Sequence, residues 1–129
     1  MRVWKTKTKM RMKMMANEIG DRPIEQRLTL SDGTQIYPAH SAIKDNGQHH
    51  GYVVLAEEER AKGFVRPVQR SYVHLHCGVE TTMSQTIAET YARDPSFYTG
   101  TFCAGCRDHF PVGENGEFIW SGTSEKVGT

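Results

Sequence analysis

The sequence predicts an α+β fold, a small domain of antiparallel hairpins with one main helix, and three observations carry that prediction. Short alternating apolar and polar segments, separated by turn residues, occur on both sides of the chain's centre. One stretch, about 83–93, repeats its apolar residues at helical spacing. Between them, residues 71–110 hold all three cysteines, arranged as the pairs His74-x-x-Cys77 and Cys103-x-x-Cys106 with 25 residues between Cys77 and Cys103. A two-residue gap lets one tight turn aim both side chains at a single ion. Three thiolates and one imidazole complete a tetrahedral zinc shell with no vacancy, which makes the expected architecture zinc-ribbon-like.

Length and composition agree with one compact unit. The chain has 129 residues, 37% of them hydrophobic, and a formal net charge of +1. No apolar run approaches the roughly 20 residues that span a bilayer. The basic N-terminus is not followed by the apolar segment of roughly 7–15 residues that marks a secretory signal. An odd number of cysteines fits a disulfide framework poorly, so metal binding in a reducing cytoplasm is the expectation.

Charge is unevenly placed. Residues 1–14 carry Arg2, Lys5, Lys7, Lys9, Arg11 and Lys13 and no acid; removing these six from 16 Lys and Arg leaves ten against 15 Asp and Glu, so residues 15–129 sum to −5. Residues 1–14 are expected to be a disordered basic arm or a leader, since five of six methionines lie in residues 1–15 and Met15-Ala16-Asn17 would make an ordinary start. The competing role for the arm is contact with nucleic acid or an anionic surface, with Trp4 as a stacking ring. Residues 15–129 are expected to form a single zinc-stabilised domain.

In chain order, Arg27–Leu30 and Thr34–Tyr37 alternate around Ser31-Asp32-Gly33, which predicts a hairpin, with Pro38 ending its second strand. Tyr52–Leu55 reads as a short apolar strand. His49 and His50 are adjacent, so in extended chain they point apart, and the expectation is a surface loop. Ala56–Lys62 has acids early and bases late, as the helix dipole favours, and Gly63 supplies the stop; Glu57, Glu58 and Glu59 are expected on a solvated face. Arg66 and Arg70, a close basic pair just before the metal site, are expected to pair with the body's own acids.

A strand over Arg70–Leu75 delivers the first ligand pair, and Gly78 after Cys77 allows the positive φ that turns amides toward sulfur. Thr82-Met83-Ser84-Gln85 reads as a capping box for a helix from Met83 to about Arg93, which Asp94-Pro95 ends. Met83, Ile87, Ala88 and Tyr91 make its core stripe. Phe97, Tyr98 and Phe102 are expected to shield the metal site. Beyond Cys106, residues 109–112 and 117–120 flank Gly113-Glu114-Asn115-Gly116, which predicts a second hairpin.

Cys77, Cys103 and Cys106 are the expected thiolate ligands. For the fourth, His74 reproduces the two-residue spacing of the cysteine pair; His109 extends that pair by a further such step and is the competitor, while His76 abuts Cys77 awkwardly. A ligating His74 needs an acceptor for its other ring nitrogen. Two chemical readings fall away. A thioredoxin-like dithiol would need a βαβ setting around Cys103 and Cys106. A nucleobase deaminase would show H-x-E and P-C-x-x-C; here no H-x-E occurs and Phe102 stands where the proline should.

The segments Ala61–Pro67, Ser71–Gly78 (SYVHLHCG) and Ala88–Pro111 (AETYARDPSFYTGTFCAGCRDHFP) resemble small proteins of phage and prophage genomes that share an H-x-x-C-G and C-x-x-C framework. That resemblance covers roughly the second half of the chain. It implies a phage-associated setting in host cytoplasm, with a host enzyme or a virion component as partner, and it carries no activity. The expected function is a zinc-binding accessory protein that acts as a non-enzymatic protein-binding module. The alternative is a nucleic-acid-binding zinc ribbon that uses the basic arm.

Overall fold

Alternation decides which side chains face inward, and the strand over Ser71–His74 shows it most clearly. Tyr72 and His74 are buried while Ser71 and Val73 are half-buried, the two-residue period of a sheet with one covered face. The computed structural model describes residues 27–129, so the basic arm expected over 1–14 lies outside the described residues. In chain order the elements are β1 (Leu28–Leu30), a 3-10 turn (Pro38–Ser41), β2 (Val53–Leu55), α1 (Glu57–Arg60), β3 (Ser71–His74), β4 (Glu80–Thr82), α2 (Gln85–Arg93), β5 (Gly100–Cys103), β6 (Asp108–Pro111) and β7 (Phe118–Trp120). Among the described residues these strands make three small antiparallel sheets, β1–β2, β4–β3–β7 and β5–β6. The α+β class holds.

The central sheet builds the core. Tyr72 lies opposite Trp120 and His74 opposite Phe118, so all four side chains share the buried face. A one-residue slip of β3 against β7 would turn that set to solvent. Edge-to-face contacts join Tyr72 to Phe118 at 5.4 Å and Tyr91 of α2 to Trp120 at 5.6 Å between ring centroids. Met83, Ala88, Cys103 and Val127 complete the cluster. Cys103 therefore belongs to the core and to the ligand pairs at once.

Several sequence expectations give way to longer-range pairing. The turn at Ser31–Thr34 forms, with Leu30 N donating to Thr34 O at 2.9 Å, but no hairpin follows it. Instead β1 pairs with β2, Leu28 opposite Leu55, and Pro38 opens the 3-10 turn. The turn at Gly113–Gly116 also forms, yet β6 pairs back to β5 while β7 joins β3. Burying Phe118 and Trp120 against Tyr72 contributes about 1.5–3 kcal/mol per large side chain, more than a two-strand ribbon gains locally.

The helices differ from expectation in detail. α2 starts at Gln85, and its cap is Ser84, whose Oγ accepts from Ile87 N; Thr82 lies instead in β4, with its hydroxyl 2.9 Å from that of Ser71. In α1 the Glu triplet is not uniformly solvated, because Glu59 is buried and its Oε1 accepts from Lys62 Nζ at 3.0 Å. Arg60 ion-pairs with Glu89, tying α1 to α2. Arg66 and Arg70 donate to main-chain carbonyls of Thr129 and Met83, where pairing with acids was expected.

Candidate metal centre

Two tight turns bring the ligand pairs together. His74 is the last residue of β3, and the chain turns through Cys77 so that Gly78 N donates back to His74 O at 2.7 Å. Cys103 is the last residue of β5, and Arg107 N donates back to Cys103 O at 2.7 Å. The residue after the second ligand of each turn takes a left-handed conformation, Gly78 at φ +77° and Arg107 at φ +59°. The turns dock directly on one another. A Cβ on Gly105 would lie 2.6 Å from Val79 Cγ2, so only glycine fits there. Thr81 Oγ1 accepts from Ala104 N at 3.0 Å and pins the second turn to β4.

The donor atoms of His74, Cys77, Cys103 and Cys106 all lie within 4.8 Å of one another. Cys77 Sγ is 3.5 Å from Cys103 Sγ, well beyond a disulfide bond, and Cys106 Sγ is 3.6 Å from His74 Nδ1. A tetrahedral ion with metal–sulfur bonds of about 2.3 Å and metal–nitrogen bonds of about 2.0–2.1 Å needs sulfur–sulfur edges of about 3.8 Å and nitrogen–sulfur edges of about 3.6 Å. The donor set fits one metal ion. Its first member in each turn, His74 and Cys103, is fully buried, and its second, Cys77 and Cys106, is exposed.

The ring of His74 is fixed on every side. Phe110 and Phe118 stack on its faces at 4.5 and 4.7 Å between centroids. Its Nε2 is 2.8 Å from Glu117 Oε1, which directs Nδ1 toward the sulfurs. A carboxylate behind a ligating imidazole sets the tautomer and raises basicity. Burial works against a charged His74 ring, but the Glu117 hydrogen bond and the neighbouring Cys77 outweigh it, and the net shift is upward.

The thiols divide sharply. Hydrogen bonding from the Val79 amide, with further help from Cys103, His74 and Cys106, lowers Cys77 to about 7. Desolvation, then the neighbouring Cys77 and Cys103 sulfurs, push Cys106 up to about 11. Without a metal Cys77 therefore ionises before Cys106, and a cation is what would allow adjacent thiolates. Cys106 N also donates to Cys103 Sγ at 3.4 Å, an amide–sulfur contact suited to a thiolate.

The other sequence candidates lie apart from this cluster. His109 Nε2 is 2.7 Å from Tyr52 Oη and its ring stacks on His49 at 4.3 Å, so it closes the β6 face against the 44–52 loop. His76 is exposed, with its ring centroid 5.9 Å from that of His74. The expected shield of Phe97, Tyr98 and Phe102 is also corrected. Phe97 packs on Tyr98 and Tyr98 on Tyr91, while Phe102 lies beside His109; the rings on His74 are Phe110 and Phe118. Glu117 went unseen in the sequence. The need for an acceptor was legible, but nothing in a separation of 43 residues singles out this acid. Among the described residues no helix is long and apolar enough to cross a membrane. No protein-family model, curated protein or solved structure matches this chain.

Proposed function

We propose that the chain is a small zinc-binding accessory protein, in which a closed shell of three cysteines and one histidine builds a protein-binding module that performs no chemistry at the metal. The observation that carries this reading is the convergence of His74, Cys77, Cys103 and Cys106 with Glu117 behind the imidazole. Soft thiolates in a tetrahedral set of three sulfurs and one nitrogen favour zinc. Four protein ligands leave no open position at which water could be activated, unlike a catalytic site. The shell's role is structural: it clamps two turns whose docking leaves Leu75 exposed in the first and Val79 exposed just beyond it. Exposed apolar side chains beside a rigid metal turn suit a protein surface better than a phosphate backbone. The net charge of −5 over residues 15–129 points the same way. The phage-like framework of the second half supports a host or virion partner in the cytoplasm.

The basic run at 1–14 keeps the nucleic-acid reading in play as the second hypothesis. Salt-titrated DNA and RNA binding separates the two. Residues 15–129 are expected to bind neither, and any binding by the full chain should fall steeply with salt. In parallel, affinity capture should recover a protein with the full chain and lose it with Leu75→Glu. Tight, sequence-selective nucleic-acid binding by residues 15–129, with no captured protein sensitive to Leu75, would reverse the assignment.

A further inference from the structure

A cavity of about 270 Å³ lies between the 44–52 loop, the start of α2 and the β5 strand. Its floor is buried and aromatic, made of Tyr72, Tyr91 and Phe102 with Met83. Its rim is exposed and includes Lys44 and His50. Two features set it apart from a packing defect. First, the Tyr91 hydroxyl on the cavity wall is buried and has no hydrogen-bond partner among the described residues. The neighbouring Thr101 hydroxyl donates to Tyr72 Oη at 3.3 Å. An unsatisfied buried hydroxyl is costly, so a donor left open on a cavity calls for an acceptor inside it. Second, the lining is electrostatically one-sided. Among the described residues it contains one ammonium, Lys44, two imidazoles and no carboxylate. Lys44 forms no salt bridge among the described residues.

We infer that this cavity is a binding site for a small aromatic carboxylate carrying a hydrogen-bond acceptor on its ring, held between Lys44 at the rim and Tyr91 at the floor. Size limits the class. The volume lies just under the range of about 300–1,000 Å³ typical of small-molecule sites, which suits one ring with two small substituents. The aromatic floor favours a flat apolar body through offset or edge contacts. Charge favours an anion, because among the described residues no acid lines the cavity and Lys44 at its entrance has no salt-bridge partner. The site is separate from the metal centre and makes no use of its ligands. The inference is independent of the zinc reading.

The test uses the full chain, as purified, and two probes, 4-hydroxybenzoate and benzoate, with benzyl alcohol as the uncharged control. Binding is read from two-dimensional NMR shifts of the Met83 and Ile87 methyls. Both acids are expected to shift these signals, 4-hydroxybenzoate the more tightly, and benzyl alcohol is expected to bind weakest. Tyr91→Phe should weaken 4-hydroxybenzoate about 3–10-fold and leave benzoate unchanged, because only the ring substituent reaches the lost hydroxyl. Lys44→Met should weaken both acids about threefold, in a manner that rising salt abolishes, without touching the alcohol. Tyr91→Phe removes an unsatisfied group, so its melting temperature should hold or rise, which keeps the comparison readable. Absence of shifts at millimolar acid would overturn the inference. So would equal binding by wild type and both variants.

Discussion

The two turns of the candidate metal centre, His74–Gly78 and Cys103–Arg107, share a backbone and differ in nearly every side chain. Each begins on a fully buried ligand at a strand end and finishes on an exposed cysteine. Each closes with a 2.7 Å bond from the residue after that cysteine to the first ligand's carbonyl. The first reaches the left-handed region with Gly78, at no steric cost, whereas the second places Arg107 there. The first holds its buried ligand with Glu117 and two phenylalanine rings; the second holds Cys103 inside the hydrophobic core and by its own Cys106 amide. Two different local chemistries converge on one turn. That convergence is intelligible if a shared ion sets the geometry and each turn meets the demand with the residues it has.

The largest break in this symmetry should come from the buried ligands. Cys103→Ser removes a metal ligand and a core side chain together, so loss of both bound metal and the cooperative melting transition is expected. Cys106→Ser removes only an exposed ligand, and it should weaken metal retention while leaving residual structure around Tyr72, Tyr91 and Trp120. Chelator titration followed by circular dichroism ranks the two. Equal loss in both variants would mean that burial makes no difference to a ligand's weight.

A smaller effect tests the docking of one turn on the other. Gly105→Ala drives a methyl into Val79, and a forced overpacking of this kind costs about 1–3 kcal/mol. Val79→Ala should recover much of that loss, since the clash is with the valine side chain. A double-mutant cycle by denaturant unfolding reads the coupling. Additivity of the two changes would show that the turns do not press on each other.

The smallest contrast lies in the left-handed residues. Gly78→Ala should cost about 1 kcal/mol. Arg107→Gly relieves strain of similar size while loosening the unfolded chain, so its net effect should stay within about 0.5 kcal/mol of zero. The Arg107 conformation is also gripped from outside, because a Cβ on Gly47 would lie 2.1 Å from Arg107 O. Melting curves of the two variants decide whether the left-handed residue is equally demanding in both turns.

The same contrast separates what was legible in the sequence from what was not. Ligand spacing is local, and so is the apolar stripe of Ile87, Ala88 and Tyr91, and both could be read from residues a few positions apart. The partners of β1 and β7 could not. Both turn signals, at Asp32-Gly33 and Gly113–Gly116, do form turns, but neither closes a hairpin: residues 34–37 form no strand and β1 pairs with β2, while β7 joins β3, whose aromatic face Phe118 and Trp120 cover. The choice of His74 over His109 was open on spacing alone. What separates them is tertiary: Glu117 and two rings aim His74 at the sulfurs, while Tyr52 and His49 engage His109. The Ser84 cap shows the limit at short range. Thr82, with Gln85 three residues on, matches the capping box and Ser84, with Ile87 there, does not, yet recruitment of Thr82 into β4 leaves the role to Ser84.

The most direct measurement is the metal content and coordination shell of the purified full chain, by elemental analysis and X-ray absorption on the same sample. One zinc per chain is expected, with three sulfur neighbours at about 2.3 Å and one nitrogen at about 2.0–2.1 Å. A folded chain free of metal, or a shell that replaces one of these ligands by water oxygen, would contradict it.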